Sequence, residues 1–408
     1  MKVLLLGYSG NPFCGGLGIY IYNLSRELSK LGVDVDLLVG PPYPEPVDEW
    51  AKVHKVEYLA TWAVKTKDIE HDKLTKMFSP WNLTDYILSR LHIFPQMETF
   101  SMQAFFRLKK FLKNKKYDII HDVQSLGWGL LPMKGYGIPI ITTVHHPLTR
   151  DRDEDLKLDK NFWEKVATLL FYPINMQRFV IKRLDRVITS FKEGIDELNN
   201  AFGLKKNRIS VVYNGMDVEL FKNTGEKREE NNLLFVGNSG DNKKGITYLL
   251  EAIKMLPGKI KLTIVDEKRD DVMKSIKEMG LTKRITITGR VNNKTLVSLY
   301  SRKTILVMSS LYEGFGLPAA EAMSCETPVV ATTAGALKEV VNSETGILVR
   351  PRDSLALKNA ILKLIDNKKL RTTMGQKGRK RAVENFAWPI AAKNTLNVYK
   401  DVIKNYRN

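Results

Sequence analysis

From residue 1 onward the chain repeats one pattern: a short run of Leu, Ile or Val, a turn carrying glycine, then a stretch whose apolar residues recur every three or four positions. Strands that alternate with helices in this way form a parallel sheet, because two parallel neighbours need a long crossover between them and a helix supplies it. Val3–Leu6 predicts the first strand, the turn runs through residues 10–18, a helix follows to about Leu31, and Val33–Val39 predicts the second strand. Further strands are expected at Asp118–His121, Pro139–Val144 and Arg186–Ser190, with Val211–Gly215 closing the series. A second series has strands expected at Leu233–Gly237, Lys261–Asp266, Ile285–Gly289, Ile305–Ser309 and Pro328–Thr332. The polar stretch Asn223–Asn232 between the two series reads as their linker. The fold class is therefore α/β, with two doubly wound domains and ligands expected in a cleft outside the carboxyl ends of the strands. Trp388–Asn408 is helical in pattern and long enough to return to the first domain.

A chain of 408 residues has room for two such domains, and 43% apolar with 27% charged residues is a globular composition. Collagen-like and low-complexity readings are excluded. Cys14 and Cys325 are the only cysteines, too few for a disulfide framework or a Cys-rich metal site, so a reducing compartment is expected. The apolar run at the N-terminus is far shorter than a signal-peptide core, and no uncharged run approaches the roughly 18–20 residues that span a bilayer.

Sixty-four Lys and Arg against 45 Asp and Glu give a formal charge of +19, which calls for an anionic partner. Nucleic acid is disfavoured, because there is no zinc-finger spacing, no aromatic RNP-like run and no basic heptad region. An anionic membrane surface or a phosphate-bearing small ligand remains. The densest basic cluster is Arg107, Lys109, Lys110, Lys113, Lys115 and Lys116, in a stretch that also carries Phe100, Met102, Phe105, Phe106, Phe111 and Leu112. At helical spacing Met102, Phe105, Phe106 and Leu112 share one side, so the segment suits anionic lipid; the alternative is a core helix with a solvated basic face.

The most informative motif is residues 309–323, Ser-Ser-Leu-Tyr-Glu-Gly-Phe-Gly-Leu-Pro-Ala-Ala-Glu-Ala-Met. A strand runs into a glycine-punctuated loop and then a helix with Pro318 in its first turn, where a missing N–H costs nothing. The N–H groups of Gly316, Leu317 and Ala319 are expected to be free at that helix end, which suits phosphate. Glu321, expected in the first turn, and Glu313 on the loop suit the paired hydroxyls of a ribose or a sugar. The plainer reading is that Glu321 complements the helix dipole and Glu313 is solvated. A second junction, residues 235–246, brings Gly237, Asn238, Lys243 and Lys244 to a strand end, where a lysine would neutralise a leaving diphosphate. It lacks the Walker spacing. Thr333–Ala336 is a third such turn.

In the first series, Gly15, Gly16 and Gly18 permit close backbone approach to a phosphate after strand one. Asp36, about 20 residues on, admits an oxidoreductase reading, but the full dinucleotide fingerprint is absent. Thr142–Pro147 ends a buried strand with His145 and His146 at its carboxyl tip, a place that catalytic residues favour. No His, Asp or Glu cluster has metal spacing.

Glu313-Gly314-Phe315-Gly316-Leu317-Pro318 through Glu321, followed by Thr327–Thr332, resembles the Glu, seven residues, Glu signature of retaining glycosyltransferases with two Rossmann-like domains (the GT-B architecture). Phosphatidylinositol mannosyltransferases, glycogen synthases and sucrose-phosphate synthases belong to this group. The resemblance runs through nearly the whole chain: residues 15–18 are similar to its first glycine loop, 212–217 to its interdomain strand end, Lys244-Gly245 to its diphosphate lysine, and 386–388 to the start of its cross-over helix. It implies an N-terminal Rossmann-like acceptor-binding domain at 1–217, a nucleotide-sugar donor domain at 218–387, and a C-terminal helix, 388–408, returning to the first domain.

Carried over by position, the resemblance implies that Glu321 binds the donor ribose, that Glu313 and the backbone of Gly314, Phe315, Gly316 and Leu317 hold the transferred sugar, and that Lys244 and Gly16 contact the diphosphate. His145 would lie beside the anomeric carbon or a sugar hydroxyl. Gly237 and Asn238 belong to the donor loop, where the family usually has Arg after the glycine; Asn238 stands there instead and the loop is one residue longer, with Lys243 as the candidate replacement. The expected activity is retaining transfer of a sugar from a nucleotide-diphosphate sugar to an acceptor hydroxyl, with no cofactor and no metal. The acceptor is expected to be lipid-linked or a glycan at the cytoplasmic membrane face, and a soluble sugar or sugar phosphate is the alternative. A non-catalytic nucleotide-sugar-binding protein is the rival from another class. A sugar-nucleotide epimerase or a phosphorylase shares the architecture, without support from these residues.

Overall fold

The structure, a computed structural model, describes residues 1–10, 16–44, 47, 49–57, 82–84, 86–87, 96–112 and 116–407. The turn at 11–15, with Cys14 and Gly15, lies outside the described residues, as do Lys113 and Lys115 and the side chain of Phe111. The chain divides into two compact units, Met1–Val212 with Ala391–Asn408, and Tyr213–Ile390.

The first unit is built on strands β1 (Lys2–Gly7), β2 (Asp34–Val39), β3 (Ala51–Lys55), β4 (Ile119–Val123), β5 (Ile140–Val144), β6 (Arg186–Thr189) and β7 (Ile209–Val211). They form one parallel sheet in the order β3-β2-β1-β4-β5-β6-β7. Covered on both faces, its central strands read as unbroken apolar runs: Val3, Leu4, Leu5 and Leu6 are all fully buried. The edge strand β3 escaped the sequence reading because Lys52, His54 and Lys55 interrupt its apolar pattern.

Helix α1 (Gly16–Lys30) follows β1 and buries Tyr20, Ile21, Leu24 and Leu28 at three- and four-residue spacing. Helix α2 (Gln96–Phe111) carries Arg107, Lys109 and Lys110 of the basic cluster. It buries Met97, Phe100, Ala104 and Leu108, so its principal apolar stripe belongs to the unit's own core. Phe105 is half-buried against that core and stacks on Tyr136, whereas Phe106 is 47% exposed. Helices α3 (Leu148–Leu158), α4 (Phe162–Phe171) and α5 (Ile174–Ile181) connect β5 to β6, and α6 (Gly194–Phe202) connects β6 to β7.

The second unit has strands β8 (Glu229–Val236), β9 (Lys261–Val265), β10 (Ile285–Ile287), β11 (Lys303–Met308), β12 (Val329–Thr332) and β13 (Gly346–Val349), all parallel, in the order β10-β9-β8-β11-β12-β13. Its longer helices are α7 (Ile246–Met255), α8 (Asp270–Glu278), α9 (Asn293–Arg302), α10 (Leu317–Ser324), α11 (Ser354–Ile365) and α12 (Lys368–Phe386). A last helix, α13 (Trp388–Arg407), carries the chain from this unit back into the first. There Tyr399 is fully buried and its hydroxyl meets His121 Nδ1 at 2.6 Å, and Asp401 pairs with Arg186 at 2.7 Å.

The linker reading of Asn223–Asn232 is corrected. Residues 229–232 are the start of β8, and the whole segment lies inside the second unit. Polarity there reflects a structural guanidinium: Arg228 donates to the carbonyls of Lys303, Cys325 and Glu326 and to Thr327 Oγ1. Leaving buried carbonyls without a donor is costly.

In each sheet the strand order reverses beside the first strand, between β1 and β4 and between β8 and β11. Crossovers leave such a point in opposite directions and open a crevice at the strands' carboxyl ends. Among the described residues, no helix is long and apolar enough to cross a membrane.

Candidate functional site

At the switch point of the second sheet, β8 ends at Val236 with Gly237 directly after it, and the chain leaving β11 at Met308 runs on into Ser309–Glu313. The loop after β8 and the loop after β11 are tied together by backbone and side chain. Leu311 N–H donates to Lys243 O at 2.6 Å and Ser309 Oγ donates to Lys244 O at 2.9 Å. Gly245, at φ 61°, permits this: a Cβ there would collide with the Ser309 carbonyl. The tie brings Lys244 Nζ to 2.7 Å from Glu313 Oε2, a pair whose side chains keep 23% and 12% of their exposure. Ser310 Oγ donates to the same carboxylate oxygen at 3.3 Å.

The third turn joins them. Ala336 N–H donates to Glu313 O at 3.0 Å, and Gly335, at φ 53°, again leaves no room for a Cβ against that carbonyl. Three junctions that are far apart in sequence thus fix one glutamate.

Helix α10 opens immediately beyond Glu313. Gly316 is its N-cap at φ 93°, and Pro318 sits in the first turn as expected. Two details differ from the sequence reading. Ala319 N–H is not free, because it bonds to Gly316 O at 2.9 Å in a tight first turn. Glu321 lies in the second turn, four residues beyond Leu317, so it is not a dipole-complementing first-turn acid. Its carboxylate Oε2 accepts from the Tyr300 hydroxyl at 2.8 Å. Burial pushes the Glu321 carboxyl up to about 7, against the lowering effect of that hydrogen bond, and burial also raises the Tyr300 hydroxyl. Phe315 is buried in a ring cluster with Phe386, at 5.6 Å, and Tyr213, at 6.4 Å, so its side chain anchors the loop and only its backbone can face a ligand. Leu317 packs partly on the same core.

Asn238 is exposed, and its side-chain oxygen accepts from Gly240 N–H at 3.1 Å within its own turn. Next to it Ser239 donates N–H and Oγ to Asp266 Oδ2, each at 2.7 Å, and Arg269 Nε approaches the same oxygen at 3.1 Å. Burial raises the Asp266 carboxyl, and these donors together outweigh it, leaving it below its ordinary value.

In the first unit Gly16 is the exposed first residue of α1, with open space where a Cβ would stand. His145 follows directly on Val144, at the carboxyl end of β5, as the sequence suggests. Its ring meets the edge of Tyr20 with centroids 4.7 Å apart. Gln124, which no motif singled out, brackets the turn: His145 N–H donates to Gln124 Oε1 at 2.9 Å, and Gln124 Nε2 donates to His146 O at 3.1 Å. His146 Nε2 lies 2.8 Å from Asp151 Oδ2. The oxidoreductase reading of Asp36 is overturned. Asp36 is 2% exposed inside β2, three residues short of the strand's end, and it accepts from Tyr117 at 2.6 Å and contacts His54 at 3.0 Å. Among the described residues no group of three or more His, Cys, Asp or Glu could hold a metal ion.

Two doubly wound parallel sheets, with candidate residues at the switch point of each, define the class of α/β proteins whose sites lie outside the strand ends. A family model described as Glycosyltransferase Family 4 matches residues 14–220, and one described as Glycosyl transferases group 1 matches residues 217–381. The chain belongs to this glycosyltransferase family. It is 32% identical to the MMP alpha-(1->4)-mannosyltransferase of Mycolicibacterium hassiacum, over 99% of this chain and 98% of that one. The fold is that of sucrose-phosphate synthase from Thermosynechococcus elongatus, with a TM-score of 0.74, 22% identity and 99% of each chain covered. It is also that of Anabaena Alr3699/HepE in complex with UDP-glucose, with a TM-score of 0.67, 17% identity, and 98% of this chain and 100% of that one covered.

Proposed function

We propose that this glycosyltransferase moves a hexose from a nucleotide-diphosphate sugar to an acceptor hydroxyl with retention of anomeric configuration. The observation that carries the reading is the Lys244–Glu313 pair, 2.7 Å apart, placed just before the N-terminus of α10. Departure of the donor's diphosphate concentrates negative charge, and a fixed ammonium beside a helix N-terminus is suited to stabilise it. An incoming diphosphate would compete for the Lys244 ammonium and free Glu313 to accept hydrogen bonds from sugar hydroxyls.

In the second unit, Glu321 would bind the ribose, the backbone of Gly314, Phe315, Gly316 and Leu317 would line the sugar, and Gly237 and Asn238 would border the diphosphate. In the first unit, Gly16 would approach the diphosphate and His145 the anomeric centre or a sugar hydroxyl. With charge supplied by Lys244 and the helix end, the transfer would need neither metal nor cofactor.

Mannose is the first donor sugar to test, since the full-length relative at 32% identity is named a mannosyltransferase; the UDP-glucose of the HepE complex makes glucose the second. The acceptor would be a glycan, a sugar or a sugar phosphate. A lipid-linked acceptor at the cytoplasmic face of a membrane is the second reading, favoured by the +19 charge and by Phe106 exposed on α2 beside Lys109 and Lys110.

The test is incubation with GDP-mannose, UDP-mannose, GDP-glucose and UDP-glucose against saccharide, sugar-phosphate and lipid-linked acceptors, scoring nucleoside diphosphate release and the product anomer. Release with an α-linked product from an α-linked donor supports the reading. Tight donor binding with no release across the panel would leave a nucleotide-sugar-binding protein in its place.

A further inference from the structure

We propose that Gln124 is the positioning residue that holds His145 in its working orientation. The proposal rests on the role given above to His145.

The pairing of β4 with β5 ends at Val123 opposite Thr143. Beyond that point β5 continues for one residue and turns at His145 and His146, while the chain leaving β4 swings away. It does so through two non-glycine residues in the left-handed region, Gln124 at φ 57° and Leu126 at φ 47°. Such residues adopt that conformation only where the surroundings impose it. Asp122 imposes it here. Fully buried, it accepts from Ser125 N–H at 3.1 Å, Leu126 N–H at 3.2 Å, Thr142 Oγ1 at 2.9 Å and the Ser125 hydroxyl.

The turn has one product at its neighbour. It aims the Gln124 side-chain amide, only 5% exposed, at the backbone that β4 no longer pairs. Oε1 takes the His145 N–H and Nε2 reaches the His146 carbonyl, so one amide stands in for the missing strand. The imidazole is held separately, edge to face at 80° on Tyr20. Tyr20 is itself anchored through the Thr143 hydroxyl, which also meets His121 Nε2 at 2.7 Å. With the backbone gripped by Gln124 and the ring by Tyr20, His145 has little freedom to turn. A strained turn built by a buried aspartate is more than a loop needs to cap a strand; it fits a requirement to place one side chain accurately.

The experiment is a double-mutant cycle on the full chain with whichever donor and acceptor support transfer, using Gln124→Leu, His145→Ala and the pair. Gln124→Leu is expected to lower kcat by about 10- to 100-fold, the scale of a small misplacement at a reacting centre, with donor KM within about threefold of the parent. UDP and GDP binding, measured by calorimetry, should stay unchanged. The double variant should be no slower than His145→Ala alone. Gln124→Glu, which keeps the oxygen that receives the His145 N–H, should retain more of kcat than Gln124→Leu, and it serves if the leucine variant does not fold. Full kcat in a folded Gln124→Leu protein while His145→Ala is impaired would overturn the positioning role alone. So would losses that multiply in the double variant. An unimpaired His145→Ala protein would remove the role of His145 and this proposal with it.

Discussion

Lys244 Nζ lies 2.7 Å from Glu313 Oε2, although 69 residues separate them in the chain. One side chain leaves the loop after β8 and the other the loop after β11, so the ion pair spans the switch point of the second sheet. Its partners are fixed by backbone ties, Leu311 to Lys243 and Ala336 to Glu313. The loops that carry the ammonium are therefore held together before any ligand arrives, which limits the reorganisation needed to stabilise a developing charge.

Replacing Lys244 with alanine removes that charge. The expected loss in kcat is about 10²- to 10³-fold, the scale seen when one stabilising donor is deleted. Steady-state kinetics check it, and a Lys244→Ala protein turning over at the parent rate would refute the assignment.

The raised Glu321 carboxyl makes two pH predictions. As pH falls below about 7 the carboxylate takes up a proton and loses one acceptor site, so donor KM should rise below neutrality, and Glu321→Gln should flatten that dependence. Tyr300→Phe removes the hydroxyl that lowers the value and should move the inflection upward.

Stability follows the same group with a definite sign. Its value is raised from 4.5 in the free carboxyl to about 7, so its favourable contribution is complete below 4.5 and is lost as pH rises through 7. Melting curves of Glu321→Gln and the parent should coincide near pH 4.5 and separate by pH 8, with the glutamine protein melting higher. A constant offset across that range would show that ionisation of Glu321 is not the cause.

Arg228→Ala should destabilise the second unit by about 2–4 kcal/mol, because it removes the donor to the carbonyls of Lys303, Cys325 and Glu326 and to Thr327 Oγ1. Hydrogen exchange should quicken in β8 and β11 and leave β1 and β4 unaffected. If 223–232 were instead a free tether, the substitution would change neither unit.

Chelation tests the proposed source of positive charge. If Lys244 and the α10 end suffice, transfer in EDTA should proceed at the rate found without it; restoration of a lost rate by Mg²⁺ or Mn²⁺ would assign that charge to a metal instead.

Much of the architecture was legible because a parallel sheet buried on both faces writes itself as apolar runs, and because glycine and proline mark the strand–helix junctions. Strands β3 and β13 were missed. The first is a half-exposed edge, and the second, Gly346–Val349, is a half-buried four-residue strand at the edge of the other sheet. Asn223–Asn232 misled because residues 223–227 are exposed, and the half-buried Arg228 that follows them looks like solvated linker until its acceptors are known.

By itself the sequence determined the α/β class, two sheets, the junctions after β8, β11 and β5, and the residue types available there, since all of these rest on neighbours close in the chain. Only the tertiary structure decided that Lys244 pairs with Glu313, that Glu321 sits on Tyr300 in the second turn, that Asp36 is enclosed within its strand, and that Gln124 grips the backbone of His145. Each of these depends on which strand lies beside which and how two loops meet, and a contact between residues 18 to 81 positions apart leaves no local periodicity to read.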